Sequence, residues 1–199
     1  LPTSETGMRH RTAARMSLLT DAMVISVSER RQVVTVFIDG KGHQLRSVAD
    51  IMGTVNQLLV SLQSTRTQLD RKLLRLTTLE LDNYVTLSDI SQTIYLFEVL
   101  MTASEELGNL LLQLGSEGKT IAMQREEFIG GMDEEYTLLV RDYAADSSEE
   151  NAAGVRRRLH ETVNAQLRSS KRIASILGYE DKGEDSVMTP LGLRTLSGI

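Results

Sequence analysis

The stretch ETGMRHRTAARM, Glu5 to Met16, places Arg9, His10 and Arg11 between Gly7 and an alanine-containing helix start. A helix N-terminus exposes unpaired amides carrying about half a positive charge, so a flexible glycine, two guanidiniums, an imidazole and the Thr12 hydroxyl there suit an anion. Arginine presents a planar fork to phosphate oxygens, and histidine adds a donor that can lose its proton. The chemistry this implies is phosphate gripping, as half of a nucleotide site. The alternative on spacing alone is a solvated basic helix start.

Other titratable residues carry less. His43 falls in a strand and His160 in a charged helix, and neither has a ligand partner three or four residues further along the chain. Glu105, Glu106, Glu126, Glu127 and Asp133 to Glu135 read as helix-surface or first-turn charges. Asp39 next to Gly40 reads as a turn and not a metal carboxylate. The Arg156 to Arg158 run could touch phosphate, but the reading its composition favours is a solvated helix face.

Met8 to Thr20 suits a helix with Met16 and Leu19 toward a core. MVISVS from Met23 and VVTVFI from Val33 are β-branched strand runs, Asp39-Gly40 is a hairpin signal, and HQLRSV returns as a third strand. After Ser47 long helices take over. Val55, Leu58, Leu59, Leu62, Leu69, Leu73 and Leu76 form one apolar stripe, and Ile90, Ile94, Phe97, Met101, Leu107 and Leu111 a second, ending near Gly115. Thr86 with Asp89 predicts a capping box for the second helix, and the two helices should pair antiparallel. Shorter helices follow around 121–129 and 134–143, then a solvated linker over 144–154, then one or two helices stopped by Gly178. The tail from Glu180 shows no periodicity, and no internal repeat is present. The expected class is α+β: a partial α/β segment with a mixed sheet, followed by an all-α part.

The 199 residues, 41% of them hydrophobic, can bury a core, while the longest apolar runs fall far short of the roughly 20 residues a bilayer needs. With 22 basic against 27 acidic side chains, the net charge of −5 argues against a dedicated nucleic-acid binder. The absence of cysteine excludes thiolate metal sites and disulfides and suits a reducing, cytoplasmic compartment. Leu1 in place of Met, before a polar run, reads as a chain whose native beginning is missing.

The blocks PTSETGMRHRTAARM, VISVSERRQVVTVFIDG, LDNYVTLSDI, LLLQLGSEGKTIAMQREEFIGG and LLVRDYAAD, in this order, resemble the DNA-integrity scanning diadenylate cyclases (DisA). That resemblance implies residues 1–48 as the later part of a cyclase domain, 49–186 as a helical spine, and 187–199 as the lead-in to a helix-hairpin-helix DNA-binding domain. It implies condensation of two ATP to cyclic di-AMP with loss of pyrophosphate, in an octamer whose cyclase domains face one another. It places Gly7, Met8, Arg9, His10, Arg11 and Thr12 on the nucleotide phosphates, with Ser28 and, more weakly, Arg31. Mg²⁺ or Mn²⁺ is expected as cofactor, held by an Asp-Gly-Ala carboxylate upstream of Leu1, so this stretch alone is expected to be inactive. DNA would be met only through the missing C-terminal domain. Two positions depart from the family pattern: Met8 where threonine is usual, and Ala14 where glutamate is usual. Against the enzyme reading stand a catalytically degenerate scaffold built on the helical spine and, third, a helical adaptor that grips partner helices.

Overall fold

The computed structural model describes residues 7–29 and 33–196. It divides into two compact units, Leu1–Thr54 and Val55–Ile199.

In the first unit, helix α1 (Met8–Thr20) leads into strands β1 (Val24–Ser28), β2 (Val33–Ile38) and β3 (Lys41–Gln44). The three strands form one antiparallel sheet in the order β1-β2-β3, with Val24 opposite Phe37, Ser28 opposite Val33 and Phe37 opposite Gly42. The described strands thus contribute only antiparallel pairs to the mixed sheet expected. Phe37, Ala13 and Ala14 make the small core, with Val24 against it. The side chains toward the sheet are the small ones, Ala13, Ala14 and Ser17, and this corrects the expectation for Met16 and Leu19, which are 54% and 74% exposed. Small residues let helix and sheet approach closely: the Gly40 amide donates to Ser17 Oγ at 3.0 Å, and Leu18 fills the space where a Gly40 Cβ would stand, 2.5 Å from its Cδ1. Gly40 has φ +76, the left-handed conformation that suits glycine in the β2–β3 turn.

Helix α2 (Val48–Leu81) begins in the first unit and carries the second unit's longest apolar stripe. Val55, Leu62, Leu69, Leu73 and Leu76 are buried, while Leu58 and Leu59 are half-buried. After a turn through Asn83 (φ 54), the two-residue strand β4 (Val85–Thr86) leads into α3 (Leu87–Leu114). The predicted capping box is present: Thr86 Oγ1 accepts the Asp89 amide, and the Asp89 carboxylate accepts from the Thr86 amide and hydroxyl. Lys72 reaches Gln92 at 2.5 Å and Arg75 reaches Asp89 at 3.9 Å, so stepping back along α2 steps forward along α3. The two helices are antiparallel, as their stripes predict.

Gly115 (φ 57) ends α3 and a 3-10 turn (Gly115–Gly118) passes into α4 (Lys119–Ile129) and α5 (Met132–Tyr143). The expected linker over 144–154 is shorter, because Ser148 Oγ accepts the Asn151 amide and starts α6 (Glu149–Glu161) inside it. Two acids in that first turn, Glu149 and Glu150, favour the same start. Then come α7 (Asn164–Leu167) and α8 (Ser170–Leu177), stopped at Gly178 (φ 97) as predicted.

The tail is ordered by pairing that no local pattern announces. Strand β5 (Val187–Met188) runs antiparallel to β4, and α9 (Leu193–Leu196) docks by its buried Arg194. The fold class is α+β, a short sheet-bearing segment followed by a helical domain.

Candidate functional site

Helix α1 starts at Gly7, whose φ of 108 and ψ of 139 turn the chain into the helix without any side-chain cap and without an acid in the first turn. Its first amides therefore keep their charge available to an outside anion. Arg9 and Arg11 are exposed, and neither has a hydrogen-bond or ion-pair partner among the described residues. His10 is half-buried, its ring edge-on to the fully buried Phe37 at 5.8 Å and 67°. Packing against a core aromatic limits the imidazole's rotation. Thr12 donates its hydroxyl proton to the Met8 carbonyl at 2.9 Å, so its oxygen can only accept or share. Met8 stands 79% exposed, and Ala14 is completely buried in the core.

Ser17 meets Gly40 and His10 meets Phe37, so moving back along α1 also moves back along β2. Because β1 runs antiparallel to β2, the end of β1 at Ser28 lies at the same end of the unit as Gly7. Ser28 is half-buried there, on the face of the sheet that carries Phe37 and Thr35. The structure thus brings Gly7, Met8, Arg9, His10, Arg11, Thr12 and Ser28 to one end; Arg31 lies outside the described residues. The assembled chemistry is cationic and hydrogen-bond donating, with no carboxylate among these residues, and it can hold a phosphate and offset charge developing on it.

The other histidines differ. His43 is exposed, opposite Val36. His160 has the acidic partners that its own helix lacks: Nδ1 lies 3.3 Å from Glu98 and Nε2 3.3 Å from Glu105, both from α3. Glu98 is buried and accepts the Tyr136 hydroxyl at 2.5 Å, while Phe97 stacks on the Tyr136 ring at 4.6 Å. Burial raises the Glu98 carboxyl above the ordinary carboxylate range, outweighing Tyr136, His160 and Arg156, which lower it. Burial and the Glu98 charge push the Tyr136 phenol well up. Arg156 lies 4.7 Å over the Tyr136 ring and bonds Asp133 at 2.7 Å, which holds that carboxyl below its usual value. A cleft of about 270 Å³ opens beside these groups.

A second buried network binds the tail. Glu80 takes the Arg194 guanidinium and the Tyr143 hydroxyl (2.9 Å), Arg194 also reaches Thr77 at 2.9 Å and Glu135 at 3.3 Å, and Asp142 accepts the Leu193 and Arg194 amides at 2.8 and 2.9 Å. Burial followed by the Glu80 charge raises the Tyr143 phenol. Sequence reading missed both networks, although the signal was present: Glu80 continues the stripe Leu69, Leu73, Leu76, and Glu98 stands four residues after Ile94. Among the described residues no group of three or more His, Asp or Glu is placed to hold a metal, and no helix is long and apolar enough to cross a membrane.

Comparison with known families matches two stretches of the chain to two family models. Residues 45–186 match the family described as the DisA bacterial checkpoint controller linker region, and residues 1–42 match the DisA bacterial checkpoint controller nucleotide-binding family. Proteins named DNA integrity scanning protein DisA are similar along its length. That of Carboxydothermus hydrogenoformans is 35% identical over 201 residues, covering 100% of this chain and 57% of the relative. That of Symbiobacterium thermophilum is 34% identical over 194 residues (98% and 54%), and that of Fusobacterium nucleatum 35% over 199 residues (99% and 56%). The chain spans about half the length of the relatives it matches. With a linker match over most of its residues, a nucleotide-binding match over its sheet-bearing segment and relatives above 30% identity, the chain belongs to the DisA bacterial checkpoint controller family.

Proposed function

We propose that residues 7–12 and Ser28 form the phosphate side of a diadenylate cyclase site, which joins two ATP molecules into cyclic di-AMP and expels two pyrophosphates. The observation that carries this reading is the uncapped start of α1 at Gly7, beside two arginines that have no partner among the described residues. In phosphoryl transfer the protein's contribution is positioning and charge neutralisation. The α1 amides, Arg9 and Arg11 hold the polyphosphate and take up charge as pyrophosphate leaves. His10, steadied by Phe37, donates to a phosphate oxygen, and Ser28 adds a hydroxyl from the strand end. Met8 offers only its backbone, where threonine would add a hydroxyl.

These groups are donors and cations, which do not fit a divalent metal; the oxygen ligands that Mg²⁺ or Mn²⁺ requires are not among them. The metal's carboxylate belongs, in this reading, to a part of the protein outside residues 1–199, and so residues 1–199 alone do not turn over ATP. The working enzyme is a cytoplasmic homo-oligomer in which two nucleotide sites face each other, and DNA is met by a domain beyond the helical one.

The test is calorimetric titration of ATP and of cyclic di-AMP into a chimera that supplies the remainder of the Carboxydothermus hydrogenoformans relative. Arg9→Ala removes one charge-assisted contact and is expected to weaken binding about 10- to 100-fold. Unchanged affinity removes Arg9 from the site.

A further inference from the structure

Residues 156–172 carry six arginines and lysines against the single carboxylate of Glu161, while the rest of the chain has 16 basic side chains against 26 acidic. Of these six, Arg156 alone is paired with a carboxylate among the described residues, through Asp133. Arg168 bonds the Tyr95 hydroxyl at 3.3 Å, Arg158 bonds the Ile176 carbonyl at 3.1 Å, and Arg157, Lys171 and Arg172 have no partner among the described residues. Charge has been concentrated in one segment of an acidic protein and then left without counter-charge, which costs self-repulsion unless an outside anion supplies it.

Two of these cations meet at a pocket. The end of α6 and the body of α8 border an open cleft of about 370 Å³ lined by Arg158, Glu161, Thr162, Arg172, Ser175 and Ile176. The Ile176 carbonyl holds one nitrogen of Arg158, leaving its other donors for the pocket, and Arg172 comes from the facing helix with its whole fork available. Thr162 donates to the Arg158 carbonyl at 2.7 Å, so it can only accept, whereas Ser175 has a hydroxyl to give. Glu161, in the same lining, opposes an anion, so an anionic ligand there must be held by the guanidiniums and kept off that carboxylate.

We infer that this α6–α8 pocket is a phosphate seat, clasped by Arg158 and Arg172 with help from Ser175, and separate from the groups at the start of α1. The phosphate has two possible sources, a free pyrophosphate or nucleotide and the phosphodiester backbone of duplex DNA, and the experiment separates them.

The amide resonances of Thr162 and Ser175 in the 199-residue protein are followed by NMR during titration with pyrophosphate and, separately, with a short duplex DNA, at two salt concentrations. Their movement with pyrophosphate assigns the seat to free phosphates. Movement only with the duplex, steeply weakened by salt, assigns it to backbone phosphate. Either supports the seat, provided that Arg172→Gln weakens the effect at least tenfold while Arg71→Gln, an exposed cation elsewhere, does not. Arg172 has no partner to lose, so the variant should fold; Arg9→Gln leaves these two resonances responding as before even where it abolishes binding at α1. No movement with either ligand, or an undiminished response in Arg172→Gln, overturns the proposal.

Discussion

Replacing Arg194 by methionine tests whether the tail from Val187 onward is part of the helical domain or merely lies beside it. The Arg194 side chain is 6% exposed and that of Glu80 is 2% exposed, so neither charge has water to fall back on. Removing one member of such a pair strands the other, at a cost of about 3–5 kcal/mol. The structure makes the effect divisible. Asp142 bonds the backbone amides of Leu193 and Arg194, which survive the substitution, so the start of α9 keeps its cap. Glu80→Gln should cost less than Arg194→Met, because Glu135 still faces the guanidinium at 3.3 Å and glutamine still accepts the Tyr143 hydroxyl. The double variant Arg194→Met with Glu80→Gln should then be about 2 kcal/mol more stable than the two single losses added together, since nothing charged is left buried by the missing partner. Urea unfolding followed by far-ultraviolet circular dichroism measures all three, because the helical domain dominates that signal. A loss below about 0.5 kcal/mol for Arg194→Met, of the size expected at a surface position, would refute the buried pair.

Three further outcomes follow. The Glu98 carboxyl titrates higher in the folded than in the unfolded protein, so its contribution is fully present below the unfolded value and is lost as pH rises through the folded one; the stability of wild type relative to Glu98→Gln should therefore fall between acidic and neutral pH, as urea midpoints measured across that range will show. Thr86→Ala breaks the capping box of α3 and should cost about 1 kcal/mol in the same unfolding assay. Gly178→Ala forces a left-handed residue at the end of α8 and sets its new Cβ 2.8 Å from that of Ala145, so it should lower stability by about 1–3 kcal/mol, visible as a depressed melting temperature.

What the sequence made legible was local. The stripe on α2, the Thr86–Asp89 box, the Gly115 and Gly178 stops and the β-branched strands each express a preference that a few neighbouring residues decide. The apolar character of Met16 and Leu19 does not bury them, because the close approach of α1 to its sheet requires the small side chains of Ala13, Ala14 and Ser17. The linker over 144–154 is shorter than its polar composition suggests, because Ser148 within it caps α6. Strand β5 and helix α9 left no local trace: one exists by pairing with Val85 and Thr86, the other by a charge that meets Glu80 more than 100 residues earlier in the chain. The candidate phosphate residues were legible by type, but their gathering with Ser28 at one end depends on α1 lying along the sheet, a tertiary fact.

The central claim is that the start of α1 serves cyclic di-AMP synthesis. Its most direct measurement is chromatography of product formed from ATP and Mn²⁺ by residues 1–199, by the chimera completed from the Carboxydothermus hydrogenoformans relative, and by that chimera with Arg9→Ala. Product from the chimera alone, lost or severely reduced in the Arg9 variant, is the result expected. A chimera that binds nucleotide without turning it over would make the protein a degenerate cyclase serving as a scaffold, and full activity with Arg9→Ala would contradict the site outright.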